Sequence, residues 1–248
     1  MRTSTGLKPT ETCTAILPRL SRAIGDLNAV VSDLSATETT TLTVSVAPIF
    51  ASRWLIWRIR GFKEENPGIK VRIEPRVDVI DLDHSDVDVG IRVGTDAALG
   101  EQATKLLDQR VFPVCSSELA QQIKTPADLL ALPIIRENER LYGWDIWLAQ
   151  HGLNAAGIQQ GPVYGDASLC LDAAMTGQGV FMAWETLACD ALERGQICAP
   201  FAQRSETGAA IWFAVSRYST QKPSVRKFRA WLQGELDSSI QEWRNTPS

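Results

Sequence analysis

The 248 residues are 44% hydrophobic and 22% charged, an ordinary composition for a globular protein with a sizeable core in one large domain or two small ones. A net charge of −4 argues against a strongly basic nucleic-acid surface spread over these residues. With no run of about 18 apolar residues and no basic start, long apolar run and cleavage site at the N-terminus, membrane insertion and export are not expected, and the cytoplasm is the expected location.

The first element is a helix. Leu17, Leu20, Ile24, Leu27, Val31 and Leu34 are spaced 3, 4, 3, 4 and 3 apart, which is a heptad seam. Between them, Arg19, Arg22, Asp26, Asn28 and Asp33 fall away from the seam, so one narrow apolar stripe is left needing a partner. A self-associating helix fits better than one packed on its own domain, because the polar linker ATETTT (36–41) separates it from the next core. Pro18 must sit in the first turn or kink the helix, since it lacks the N–H that bonds one turn back.

From Leu42 the chain alternates strands with helices. LTVSV reads as a strand, and the helix after it presents Trp54, Leu55, Ile59 and Phe62 on one side until NPG (66–68) stops it. In IKVRIEP, Ile69, Val71 and Ile73 alternate with Lys70, Arg72 and Glu74, and DVDVGIRVG repeats the alternation with Val87, Val89, Ile91 and Val93. This β–α–β order predicts parallel strands in an open α/β sheet whose ligands sit at the strands' carboxyl ends. The stretch VAPIFASRWL (46–55) is then the junction to watch: a strand that runs straight into a helix leaves backbone N–H groups to be capped or offered to a ligand.

A third region, from VFPVCSSEL (111–119), uses the same grammar. TPADLLALP starts a helix with Thr125 as cap, Pro126 at the first position and Asp128 in the first turn. GWDIWLAQHG sets Trp144, Trp147 and Leu148 on one helical face, with Gly152 as a stop. GDASLCLDAAMTGQGVFMAW supplies a cap at Asp166 or Ser168, a helix to Thr176, Gly177 as left-handed terminator and a strand from Val180 to Trp184. The strand AIWFAVS precedes a last helix whose apolar face is Val225, Phe228, Trp231 and Leu232. Two α/β modules of similar size place the natural binding site in the cleft between them.

In this order the motifs RTSTGLKPTETCTAILPRL, PIFASRWL, FKEENPGIKVRI, DVDVGIRVG, PVCSSEL, PADLLALPII, the W-x-x-W-L of Trp144 to Leu148, AAMTGQGV and VRKFRAWL resemble the LysR-type transcriptional regulators, in their GcvA/AmpR-like branch. The resemblance runs from residue 2 to about 236. It implies an α/β fold of two Rossmann-like subdomains of periplasmic-binding-protein type with a cleft between them, preceded by an N-terminal coiled-coil linker helix. Residues 1–10 then resemble the remnant of a DNA-binding wing and 11–36 the dimerisation helix; 41–112 with 219–248 form subdomain I, and 113–218 subdomain II. Family members open with a winged helix-turn-helix, and only the wing end is matched here, so an internal methionine taken as the start or a trimmed chain is expected, with a naturally shortened regulator as the alternative. DNA contact is expected only through that missing segment. The implied partners are a small-molecule effector and further copies of the chain, as a homodimer or a tetramer.

Carried over position by position, the resemblance lines the cleft with Ile49, Phe50, Ala51 and Ser52 at the first helix start, Arg92 and Val93 through Gly94 at a strand end, and Asp166, Ala167 and Ser168 at the second helix start. Two facing helix N-termini, with hydroxyls at Ser52 and Ser168, favour a small anionic metabolite. Each residue also has a plainer reading. Arg92 suits either an anion or a surface carboxylate; Asp166 suits capping better than ligand contact; Ser52 and Ser168 are equally capping candidates. Trp184 and Trp212 are cleft walls or, more commonly for aromatics on apolar strands, core. Ile49 stands where relatives often carry Ser or Thr, which suggests a ligand with an apolar portion.

Enzymatic function is not expected. No Ser-His-Asp order, P-loop or dinucleotide glycine turn is present, and Cys115 and His84 lie in no nucleophile context. The five cysteines (Cys13, Cys115, Cys170, Cys189, Cys198) contain no CxxC pair and read as reduced thiols, while His84 and His151 have no second ligand at metal spacing, so neither cofactor nor metal is expected. A stand-alone solute-binding protein of the same two-lobed fold is the alternative; it calls for an export signal and no heptad helix.

Overall fold

Parallel strands joined by helices account for both ends of one mixed sheet, and two long antiparallel strands account for its middle. A computed structural model describes residues 2–3, 6–7, 10, 12–13, 15–17, 19–20, 23–24, 27, 40–76, 78, 80–94, 103–138 and 143–245. At the N-terminus β1 (Arg2–Thr3) and β2 (Gly6–Leu7) form a two-stranded antiparallel ladder. The principal sheet has the order β4-β3-β5-β10-β6-β9-β7-β8. In the first lobe, β3 (Thr40–Val46) pairs in parallel with β4 (Ile69–Pro75) and β5 (Val89–Gly94). In the second, β7 (Ile134–Glu137) pairs in parallel with β8 (Gln160–Tyr164) and β9 (Val180–Trp184). The long strands β6 (Ala103–Val114) and β10 (Ser205–Val215) run antiparallel to each other and join the lobes.

Pro48 opens a continuous helical segment: α1 (Pro48–Phe50), a π-helical turn over Ala51–Leu55, and α2 (Ile56–Glu65). Trp54, Leu55, Ile59 and Phe62 are all buried, as their spacing predicts. Phe62 meets Phe228 edge-on at 5.3 Å, and the long closing helix α7 (Pro223–Asn245) adds Val225, Leu232 and Leu236 to the same core. Each such side chain contributes about 1.5–3 kcal/mol on burial. The short α3 (Ser117–Ala120), the 3₁₀ turn Pro126–Ala131 with its Thr125–Asp128 capping box, and α4 (Trp144–Ala149) cover the second lobe. There Leu129, Ile134, Trp144, Trp147, Leu148 and Val180 form a separate core.

One strand departs from expectation. β5 does not alternate: Val89 to Arg92 are buried in succession and Val93 is exposed, with β5 lying inside the sheet between β3 and β10 and Leu82 packed on Gly90. Just before β5, buried Asp88 accepts from Thr43 N at 2.9 Å, Ser219 Oγ at 2.7 Å and Lys222 Nζ at 2.8 Å, which ties the start of α7 to the sheet.

Where they are described, residues 12 to 27 are helical, and Leu17, Leu20, Ile24 and Leu27 are 44%, 54%, 52% and 64% exposed, so the seam has no partner within the chain among the described residues. Val31 and Leu34 of that seam, Pro18, and most of the linker after it lie outside the described residues. Among those described, no helix is long and apolar enough to cross a membrane.

Candidate functional site

Between the lobes lies a cleft of about 380 Å³. Its first-lobe wall is Ala47, Pro48, Ile49 and Phe50 from the β3–α1 junction with Arg92 and Val93 from the end of β5. The facing wall is Glu137 and Asn138 at the end of β7, Asp166 and Ala167 at the start of α5 (Ala167–Met175), and Trp184, Thr186 and Leu187 at the start of α6 (Glu185–Glu193). Gln109 of the crossover strand β6 completes the lining.

The two helix starts solve their backbone problem differently. At the first, the cap position is Ala47, which has no side chain able to bond, and Pro48 follows without an N–H; the next N–H groups, of Ile49 and Phe50, therefore point out of the helix start with no side-chain cap. Ala51 N already bonds back to Ala47 O at 3.0 Å. At the second, Asp166 Oδ1 accepts from Ser168 N at 2.7 Å, which is the capping role. The first junction thus keeps its positive pole open to the cleft, whereas the second has a carboxylate drawn over it.

Arg92 is 6% exposed and belongs to the same positive wall. Its guanidinium donates to Ile91 O at 2.8 Å, Ser45 Oγ at 2.6 Å and Asp78 O at 3.2 Å, and it forms no ion pair among the described residues. Neutral acceptors satisfy some of its five donors but leave the charge uncompensated. Burial, with the nearby charge of Arg76 adding to it, holds its pKa below the ordinary arginine value. The expected alternative, a bridge to a surface carboxylate, is not made among the described residues.

Of the anticipated residues, Ile49, Phe50, Arg92, Val93, Asp166, Ala167 and Trp184 are brought together in the lining. Ala51, Ser52, Ser168 and Trp212 lie outside it. Ala51 is buried in the helix body. The exposed Ser52 turns its hydroxyl onto Ile49 O at 3.3 Å. Ser168 presents its N–H to Asp166 and its carbonyl to Arg53 Nη2 at 3.2 Å. Trp212, opposite Arg92 on β10, donates from Nε1 to Gly94 O at 2.8 Å. Gln109, Glu137, Asn138, Thr186 and Leu187 were not anticipated. Glu137 and Asn138 stand at the end of a strand that only begins at the last two residues of PADLLALPII, so reading Ile134 to Glu137 as a strand and applying the carboxyl-end rule would have found them.

Two ion pairs hold the walls together outside the cleft. Arg58 of α2 makes a bidentate pair with Asp190 of α6 at 2.6 and 2.8 Å, and Arg53 pairs with Asp172 of α5 at 2.7 Å. Nearby, Arg110 of β6 makes another bidentate pair with buried Glu185, at 2.9 and 2.8 Å. Among the described residues there is no group of His, Cys, Asp and Glu that could hold a metal ion.

The two lobes, the crossover strands and the cleft find their counterpart in one family: the LysR substrate binding domain matches residues 35–237. The chain belongs to that family. A LysR-type relative, the glycine cleavage system transcriptional activator of Escherichia coli strain K12, is 32% identical over 206 residues, covering 82% of this chain and 67% of the relative. The transcriptional activator AmpR of Citrobacter koseri is 26% identical over 228 residues, 92% of this chain and 79% of the relative. Among solved structures, the AmpR effector binding domain from Citrobacter freundii superposes with a TM-score of 0.69 at 27% identity, covering 80% of this chain and 99% of that one. These LysR relatives are transcriptional regulators, not enzymes.

Proposed function

We propose that this chain is the effector-sensing and dimerising portion of a LysR-type regulator acting in the cytoplasm, and that its cleft binds a small metabolite carrying a carboxylate. The observation that carries the reading is Arg92: a buried guanidinium with no anionic partner among the described residues, on the same wall as an uncapped helix start. An anion there gains charge-assisted hydrogen bonds and the helix dipole together. Glu137 and Asp166 on the opposite wall disfavour a second bare anion close to them and favour a hydrogen-bond donor or ammonium group on that side of the ligand.

In this reading, residues 41–112 with 219–248 and residues 113–218 are the two moving bodies, and ligand shifts the balance between their relative positions by binding one arrangement better. The helix of residues 11–36 pairs through Leu17, Leu20, Ile24, Leu27, Val31 and Leu34 with the same helix of a second copy and passes the change to a DNA-binding unit joined to it. The exposed seam supports that part.

A thermal-shift comparison tests the ligand class. Small carboxylates, including amino acids, are expected to raise the unfolding midpoint, whereas the corresponding neutral amides of the same shape do not. Equal stabilisation by acids and amides would remove the role given to Arg92.

A further inference from the structure

Gln109 stands at the point where the two long strands lose register. Glu206 faces Arg110 and Ala210 faces Asp108, so the intervening residues of β10 bulge opposite Gln109, with Gly208 at φ +76° and Thr207 Oγ1 donating to Gln109 O at 3.3 Å. This irregularity lies on the connection between the lobes. The side chain is 1% exposed and lines the cleft. Its Oε1 accepts from Thr186 Oγ1 at 2.8 Å, which fixes the amide, yet its Nε2 is fully buried with no acceptor among the described residues. A buried amide donor of this kind is costly to leave unmet, and pairing one end of the amide while leaving the other toward a cleft is what a preorganised contact requires.

We infer that Gln109 is a specificity-determining contact, donating from Nε2 to an acceptor oxygen of the ligand at the hinge between the lobes. The inference rests on the reading of the cleft as the effector site and narrows its ligand class. Arg92 and Gln109 are carried by β5 and β6 with β10 between them, which sets them two strand spacings apart across the sheet, and because Gly94 and Asp108 share the partner Ala210, Gln109 also lies about three residues further along; their backbones are therefore more than roughly 10 Å apart. One carboxylate does not serve both. The ligand is a carboxylate with a second acceptor group several bonds away, and Ile49 and Phe50 flank the apolar stem between them.

Two readouts decide it. In the absence of ligand, the double variant Gln109→Met/Thr186→Val removes the unmet donor and the partner hydroxyl together at nearly constant volume, so the unfolding midpoint should rise by roughly 2–10 °C. Gln109→Met alone leaves the Thr186 hydroxyl without its acceptor and should rise less. With ligand, adipate and hexanoate are compared, since they share a six-carbon chain and only adipate carries a distal acceptor. Adipate should stabilise the wild type more than hexanoate, and that difference should vanish in Gln109→Met. A ligand-free midpoint that fails to rise in the double variant, or equal shifts by the two probes in the wild type, none included, overturns the inference. Failure of the underlying cleft reading looks different: no carboxylate of any length would then distinguish itself from its amide.

Discussion

Replacing Asp190 with Asn tests whether the lobes are held in their observed relation by the α2–α6 clamp. The pair is bidentate at 2.6 and 2.8 Å, and the two side chains are only 15% and 8% exposed. Arg58 also donates to Trp54 O at 3.2 Å and lies over the Trp54 ring, 4.7 Å from its centroid, so it is held in place and has little freedom to move into water when its partner is neutralised. Losing one partner of a buried pair costs about 3–5 kcal/mol. The retained amide oxygen and the residual exposure of Arg58 bring the expectation for Asp190→Asn to about 2–4 kcal/mol, or a drop of roughly 4–16 °C in the midpoint for a chain of this size. Differential scanning calorimetry on the variant measures it. Arg58→Met/Asp190→Leu, which replaces the pair by apolar groups of similar volume, should return to within about 1 kcal/mol of wild type. A single variant that loses less than about 1 kcal/mol, or a double variant no better than the single, would refute the clamp.

Two further outcomes follow from the buried and paired titratable groups. Burial raises the thiols of Cys115 and Cys170 to about 12, with Cys198 adding to the first and Glu137 and Asp166 to the second, and burial likewise pushes Cys189 up. A thiol reagent near pH 8 should therefore modify exposed Cys13 at once and those three only after unfolding; fast modification of any of the three in the native protein would contradict the packing. At Asp83, burial alone would raise the carboxyl, but the backbone N–H of Arg217 at 2.8 Å, its guanidinium and the Ser216 hydroxyl outweigh it and hold the pKa below the ordinary value. A depressed folded value contributes stability above the unfolded pKa of about 3.9 and loses it as pH falls through the folded one. Asp83→Asn should accordingly be less stable than wild type at neutral pH and converge with it as pH falls through the depressed folded value; a gap that stays constant with pH would count against the pairing.

Local chemistry made much of the fold readable. The helix faces, the Asp166 cap, the left-handed Gly177 and the limits of β9 all depend on neighbours a few residues apart, and all are as the sequence implies. The crossover strand β6 was not readable in this way. Its burial changes character along its length as it passes from one lobe to the other, so ATKLLDQRVFPV shows no single period. The burial of Asp88 and Arg92 was likewise not announced locally: only the neighbours supplied by Thr43, Ser45, Ser219 and Lys222 explain it. The cleft was half legible. Its helix starts follow from strand-to-helix junctions, but the Gln109–Thr186 pair joins residues 77 apart in sequence, a contact that no local spacing announces. Ser52 shows the converse, a hydroxyl at the expected place whose hydrogen bond goes to its own turn.

The claim that the cleft recognises an anion through Arg92 is tested most directly by isothermal titration of the best-stabilising carboxylate into wild type and Arg92→Met. A charge-assisted hydrogen bond contributes about 1.5–3 kcal/mol, so the variant should bind roughly 10- to 150-fold more weakly while remaining folded. Unchanged affinity in a folded Arg92→Met protein would contradict the account.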